Sequence, residues 1–373
     1  MPEKYLRVLS IFGTRPEAVK MAPVVQELKM RKRIESIVCV TAQHREMLDQ
    51  VLDLFAIHAD YDLDLMQHNQ TLASLTAGVF TGLDPILRTS KPDWILVQGD
   101  TTTVMAASLL AYYHRINVGH VEAGLRTADK WQPFPEEINR RVTGAVADLH
   151  FAPTKWARDN LLSEGVSQEK IIITGNPVID ALQQVIEQPY DLASGPLRGI
   201  PDNKRIILVT AHRRENFGEP MRRIFSALRK IAQSYAQDVV LVYPVHLNPN
   251  VHALAHEMLG DIENIRLLEP LDYLPMVHLM AHAYLVLTDS GGLQEEAPAL
   301  GTPVIVLRDV TERPEAIEAG TARLVGTDFD RIVEQTQLLL EDEEEYAKMA
   351  RAINPFGDGH AATRIVDALL TSA

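Results

Sequence analysis

Short apolar, β-branched runs alternate with longer stretches of helical period along almost the whole chain. In the first half the apolar runs predict strands at 7–12, 36–41, 94–98, 117–121, 149–152 and 171–174. Between them, helical spacing predicts helices at 23–30, 45–55, 71–87, 102–113, 136–147 and 154–164. Strict alternation of this kind predicts βαβ units and a parallel sheet with helices on both faces.

The pattern lapses at 186–204, a polar stretch with Pro189, Pro196 and Pro201 that reads as a linker. It then restarts, with strands expected at 205–210, 239–244, 265–268, 284–288, 303–307 and 323–325 and helices between them. The expectation is a doubly wound α/β domain over 1–185 and a second over 205–357. A last amphipathic helix follows at about 361–370. Two such domains in tandem leave a cleft between them as the default ligand site. The acidic run at 341–345 reads as a solvated helix surface.

At 373 residues the chain exceeds one typical core, in keeping with two domains. Fifty acidic against 36 basic residues give a net charge of −14. That field opposes nucleic acid and anionic membranes as partners, so an anionic ligand would need local cations. No apolar run approaches a membrane span and no signal-like segment opens the chain, so the expected location is cytoplasmic. The single cysteine, Cys39, sits in the apolar run Ile37-Val38-Cys39-Val40 and reads as a buried strand residue.

The candidate chemistry lies where predicted strands end. Leu287 to Glu296 reads as a strand, then Ser290-Gly291-Gly292, then a helix closed by Gly301. Glycines there let a backbone approach an anion, and the helix start favours negative charge. A carboxylate one turn on, Glu295 or Glu296, suits ribose hydroxyls. A purely structural turn explains the same residues equally well.

In the first βα loop, 12–20, the later glycines of a dinucleotide fingerprint are missing, which argues against NAD. It offers two cations, Arg15 and Lys20. Asp100 follows the strand 94–98 and is read either as a helix cap or as a catalytic acid. Glu122, before Ala123-Gly124, has no capping role. Glu136 and Arg140 stand one helical turn apart, and an ordinary ion pair would account for them. His212 ends the first strand of the second domain and could donate to phosphate or shuttle a proton. The pairs His252/His256 and His278/His282 lack the Glu of a zincin motif and read as structural, so no metal is expected.

Together these segments carry a resemblance. Gly13-Thr14-Arg15-Pro16-Glu17-Ala18, Thr41-Ala42-Gln43-His44-Arg45, Gly99-Asp100-Thr101-Thr102 and His120-Val121-Glu122-Ala123-Gly124-Leu125-Arg126-Thr127 occur in order. Pro135-Glu136-Glu137-Ile138-Asn139-Arg140, Gly175-Asn176-Pro177, His212-Arg213-Arg214-Glu215, Pro244-Val245-His246-Leu247-Asn248, Asp289-Ser290-Gly291-Gly292 and Thr311-Glu312-Arg313-Pro314-Glu315 follow. The set resembles the bacterial non-hydrolysing UDP-N-acetylglucosamine 2-epimerases, from the first strand to the last helix. The resemblance implies a GT-B-like fold, two Rossmann-like doubly wound domains with an interdomain active-site cleft. It also implies that the C-terminal helix, 358–373, completes the first domain, and that the protein is a homodimer. The implied activity is the reversible conversion of UDP-GlcNAc to UDP-ManNAc without a cofactor, supplying ManNAc-type sugars for cell-surface polysaccharide.

C2 of a GlcNAc unit has no neighbouring carbonyl to acidify its proton, so elimination of UDP to 2-acetamidoglucal and readdition is the route that the residues permit. Matched motif to motif, Asp100, Glu122, Glu136 and His212 are implied to be catalytic. Arg15, Lys20, Arg140, His212, His246, Ser290, Gly291, Gly292, Glu296 and Arg313 are implied to bind the nucleotide sugar. Gln43 and His44 match a second, regulatory UDP-GlcNAc site of some relatives, but Glu46 and Asn69 stand where those relatives have Gln and Arg. Alternatives are a hydrolysing 2-epimerase, a glycosyltransferase of the same fold and a non-catalytic UDP-sugar sensor.

Overall fold

The computed structural model describes residues 5–41, 45–65, 70–127 and 129–372. The chain divides into two units, Met1–Gln183 with Phe356–Ala373, and Gln184–Pro355. Unit 1 contains β1 (Leu6–Phe12), β2 (Ile34–Val40), β3 (Tyr61–Asp62), β4 (Trp94–Gln98), β5 (Asn117–Val121), β6 (Leu149–Ala152) and β7 (Ile171–Ile173). Unit 2 contains β8 (Arg205–Thr210), β9 (Val239–Pro244), β10 (Ile265–Leu268), β11 (Ala283–Thr288), β12 (Val304–Val306) and β13 (Ala322–Leu324).

The sheet orders are β3-β2-β1-β4-β5-β6-β7 and β10-β9-β8-β11-β12-β13. Pairings such as β1 with β4 and β8 with β11 are parallel. In both sheets the order reverses between the first strand of the unit and its fourth. A doubly wound sheet exposes its loops there, outside the strands' carboxyl ends, and ligands bind at that point.

The strands read clearly in sequence because a parallel strand covered on both faces is a largely apolar run, as in β4 and β9. Leu9, Ile11, Ile95 and Val97 pack with Leu83 and Val104 in unit 1. Leu241, Leu285 and Leu287 pack with Phe225 and Ile231 in unit 2. Each such side chain contributes about 1.5–3 kcal/mol of burial, so Phe225→Ala would cost about 3–5 kcal/mol. Cys39 is buried in β2, and burial pushes its thiol up to about 12. No described helix is long and apolar enough to cross a membrane.

Several local expectations are corrected. The first helix spans Arg15–Met30 rather than 23–30. Thr14 caps it in a reciprocal box with Glu17, Pro16 occupies its first turn, and Pro23 lies inside it. Arg15 and Lys20 therefore stand on a helix and not in a loop. The run 341–345 does lie on largely exposed helix surface, but on two helices: Asp342 ends Phe329–Glu341 and caps Glu343–Ala350 by accepting from the amides of Glu344 and Glu345.

The last helix, Ala361–Thr371, docks within unit 1 through its own N-terminus. The amides of Ala361 and Ala362 donate to the Asp180 carboxylate at 3.1 and 2.8 Å. Arg364 forks onto Asp358 at 2.7 Å through both nitrogens, and Arg31 meets Asp367 at 2.8 Å.

Candidate active site

At the switch point of unit 1, Glu122 follows β5 with φ +62°, a left-handed conformation that a glutamate rarely adopts. Such a residue persists only when its surroundings over-determine it. Lys20 Nζ donates to Glu122 Oε1 at 2.5 Å and Asn176 Nδ2 donates to the same oxygen at 2.9 Å. Gln98, the last residue of β4, donates to Oε2. The buried carboxylate is thus held by a cation and two amides, which fixes its position.

Asp100 is not the cap of the following helix. That role belongs to Thr101, whose side chain accepts from Val104 N. Asp100 instead pairs with Arg140, whose Nη2 and Nε lie 2.6 and 2.9 Å from Oδ2. The helix Glu136–Val146 presents Arg140. On the same helix, the fully buried Glu137 accepts from Arg140 Nη1 at 3.4 Å, Arg141 Nε at 3.0 Å and the Thr127 amide at 3.1 Å. Glu136 is half-buried at the start of that helix.

Glu17 is a further acid here, buried between two loops. Its Oε2 accepts from the amides of Gly13 and Thr14 at 2.9 and 2.7 Å, and its Oε1 from the Thr101 hydroxyl at 2.6 Å. Burial raises its pKa, and these hydrogen bonds oppose the rise. The first-loop amides that a dinucleotide's pyrophosphate would use are therefore occupied by a carboxylate, a structural reason against NAD beyond the missing glycines.

At the switch point of unit 2, Asp289 is fully buried. Its Oδ2 accepts from the amides of His212 and Arg213, both at 2.8 Å, and from Asn216 Nδ2 at 3.0 Å. Its Oδ1 lies 3.5 Å from His212 Nδ1. Burial drives the pKa of His212 down, with the Asp289 charge pulling it up. The exposed His246 ring stacks on His212 at 5.4 Å between centroids.

The Ser290-Gly291-Gly292 loop leads into a helix of only seven residues, Leu293–Ala299. The Ser290 amide is spent on Thr288 Oγ1 at 2.8 Å, so this N–H is not available to an anion as the sequence suggested. Gly291 is required by space rather than by backbone angle. A Cβ there would stand 3.0 Å from the Arg313 guanidinium. Arg313 in turn pairs with buried Glu295 at 2.7 Å and with Glu312 at 2.9 Å. Of the two acids considered for a ribose, Glu295 is thus committed to Arg313, while Glu296 accepts from Tyr273 Oη at 2.7 Å.

The structure brings Lys20, Glu122, Asp100 and Arg140 together with Gln98, Asn176 and Glu137, and groups His212, His246, Ser290, Gly291, Glu296 and Arg313 by elements of unit 2. Arg15 is half-buried at the head of its helix. Gln43, His44 and Asn69 lie outside the described residues, as does the side chain of Glu46. The pair His278/His282 is structural at His278, which bonds the Gln188 carbonyl at 3.0 Å and stacks on Tyr190.

Residues 26–370 match the family model described as UDP-N-acetylglucosamine 2-epimerase. The UDP-N-acetylglucosamine 2-epimerase of Escherichia coli K12 is 56% identical over 372 residues, covering 98% of each chain. The Neisseria meningitidis UDP-GlcNAc 2-epimerase, solved bound to UDP-GlcNAc, superposes with a TM-score of 0.91 at 50% identity over 98% of this chain and 100% of that one. A Staphylococcus aureus UDP co-structure gives 0.90 at 48% identity, over 98% and 96%. With two parallel doubly wound sheets and a match over nearly its full length, this chain belongs to the UDP-N-acetylglucosamine 2-epimerase family.

Proposed function

We propose that the protein interconverts UDP-GlcNAc and UDP-ManNAc by eliminating UDP and adding it back. In the first step the C1–O bond to UDP breaks, a carboxylate takes the C2 proton, and a C1=C2 double bond forms. In the second a proton reaches C2 on the opposite face and the β-phosphate oxygen of UDP returns to C1. No redox cofactor is needed, because no carbon changes its net oxidation state.

The observation that carries this reading is Glu122, a carboxylate in a left-handed backbone position clamped by Lys20, Gln98 and Asn176. Asp100, paired with Arg140, supplies a second acid. Glu136 is assigned to the same set. The geometric support for two acids with different environments is that Glu122 is buried while Asp100 keeps a quarter of its side chain exposed (26%). Arg15, Lys20, Arg140 and His212 would stabilise the departing diphosphate. Ser290, Gly291, Gly292, His246 and Arg313 would hold UDP, with Glu296 on the ribose.

The resemblance extends the proposal to a cytoplasmic homodimer that supplies ManNAc-type sugars for cell-surface polysaccharide. Proton NMR of UDP-GlcNAc with the protein in D2O tests the reaction. The expected result is UDP-ManNAc carrying deuterium at C2, with UDP retained on the sugar. Product with a fully protiated C2 would overturn elimination, and free ManNAc with equimolar UDP would replace it by hydrolysis.

A further inference from the structure

The loop that carries Asp100 is tied at each position by a different element. The Gly99 amide donates to the Val121 carbonyl at 3.0 Å, and the Asp100 carbonyl accepts from Asn139 Nδ2 at 2.9 Å. The Thr101 hydroxyl donates to Glu17. The remaining tie is His120, on β5, whose Nε2 donates to the Gly99 carbonyl at 2.7 Å.

His120 is 1% exposed, and its Nδ1 has no hydrogen-bond partner among the described residues. Burying an imidazole with one nitrogen unsatisfied is unfavourable, and an apolar side chain would avoid that cost. The fold alone therefore does not explain a histidine here; the bond to Gly99 does. Gly99 stands at φ +80° without a Cβ, so the peptide that follows it can rotate readily unless its carbonyl is pinned. Rotation of that peptide would swing Asp100 away from Arg140. His120 also lies two residues before Glu122, and a Cβ on Gly99 would be 3.6 Å from Glu122 Oε2. One side chain thereby links the backbone of the Asp100 loop to the strand end that presents Glu122.

We propose that His120 is a positioning residue, whose Nε2–H pins the Gly99–Asp100 peptide and so sets the separation of the Asp100 and Glu122 carboxylates. The acceptor is a carbonyl, so Nε2 must carry the proton. Burial holds the ring neutral, with its pKa lowered to about 4, which leaves Nδ1 bare. The role rests on the reading of Asp100 and Glu122 as the proton-transferring acids.

The test compares His120→Gln with His120→Asn. Both replace the ring by an amide, but only glutamine places its nitrogen where Nε2 stands. Steady-state kinetics, UDP affinity and the ratio of released 2-acetamidoglucal to epimer are measured for each. His120→Gln should keep most of the wild-type turnover. His120→Asn should lose about 100-fold in kcat, the scale for a misplacement of about 1 Å, with UDP affinity unchanged and more glucal released per epimer. Equal turnover in the two variants, whether high or low, would overturn the positioning role. Asp100→Asn and Glu122→Gln serve as separate controls. If those two keep full epimerisation, the functional reading fails; if they lose it while both His120 variants keep it, only the positioning role fails.

Discussion

The two units share one sheet order and one device at the switch point, yet they differ in what the device presents. In each, a buried carboxylate takes the amides of the loop after the first strand. Glu17 does so from the helix that follows β1, and Asp289 does so from the end of β11. Around Glu17 the neighbouring strand ends carry Asp100 and Glu122 with their cations. Around Asp289 stand an imidazole pair, a Ser-Gly-Gly turn and Arg313. The shared carboxylate fixes the loop and closes it to phosphate. In the proposed function, chemistry comes from the side chains that surround it, so the fold repeats while the role divides.

That division is broken most sharply by kinetics. Glu122→Gln or Asp100→Asn should lower turnover by about 10²–10⁴-fold, the range for general acid–base catalysis, and leave UDP affinity near wild type. Calorimetric titration with UDP beside a turnover assay separates the two quantities. A collapse of UDP affinity would place these acids among the nucleotide contacts.

Next in size is the structural device itself. Asp289→Ala strips three donors of a buried acceptor, two of them backbone amides, and should cost about 3 kcal/mol or more. Hydrogen exchange should then show lost protection in β8 and β11 with β1 and β4 unchanged. Equal loss in both sheets would mean that the units do not unfold separately.

A smaller effect belongs to Glu296→Ala. Removing a charged acceptor from a ribose should weaken UDP by about 1.5–3 kcal/mol and leave turnover at saturation almost intact. Unchanged UDP affinity with lost turnover would move Glu296 to the acid set and erase the contrast between the units.

Much of the fold was legible because parallel strands covered on both faces are continuous apolar runs. The start of the first helix was not: the apolar period begins it at Pro23, whereas the first turn tolerates Pro16 and a capping box of Thr14 with Glu17 starts it at Arg15. The strand Tyr61–Asp62 has two residues and no period to detect. In the site, Asp100 and Glu122 stand out at strand ends, but their partners do not. Gln98 and Asn176 are 24 and 54 residues from Glu122, so no local spacing joins them. Glu137 had a signal: with Arg140 and Gly144 it follows the helical period along one face of the helix Glu136–Val146. Glu136 and Glu137 are adjacent acids that differ only in the helix face that burial selects, which their spacing does not reveal.

The smallest expected effect concerns acid. His120 and His150 face each other across β5 and β6, and both are buried. Burial lowers their pKa values from an ordinary 6.5 to about 4 and about 3. Both shifts are downward, so the unfolded chain takes up protons first as the pH falls. Their contribution to stability is complete above about 6.5 and declines toward the folded values, the direction in which stability rises with pH. Between pH 7 and 5.5 each ring should remove about 1 kcal/mol from unit 1. His150→Gln removes one of the two, so denaturant unfolding of that variant should lose less stability over this interval than the wild type does. Identical slopes for variant and wild type would show that His150 does not change its proton occupancy on unfolding.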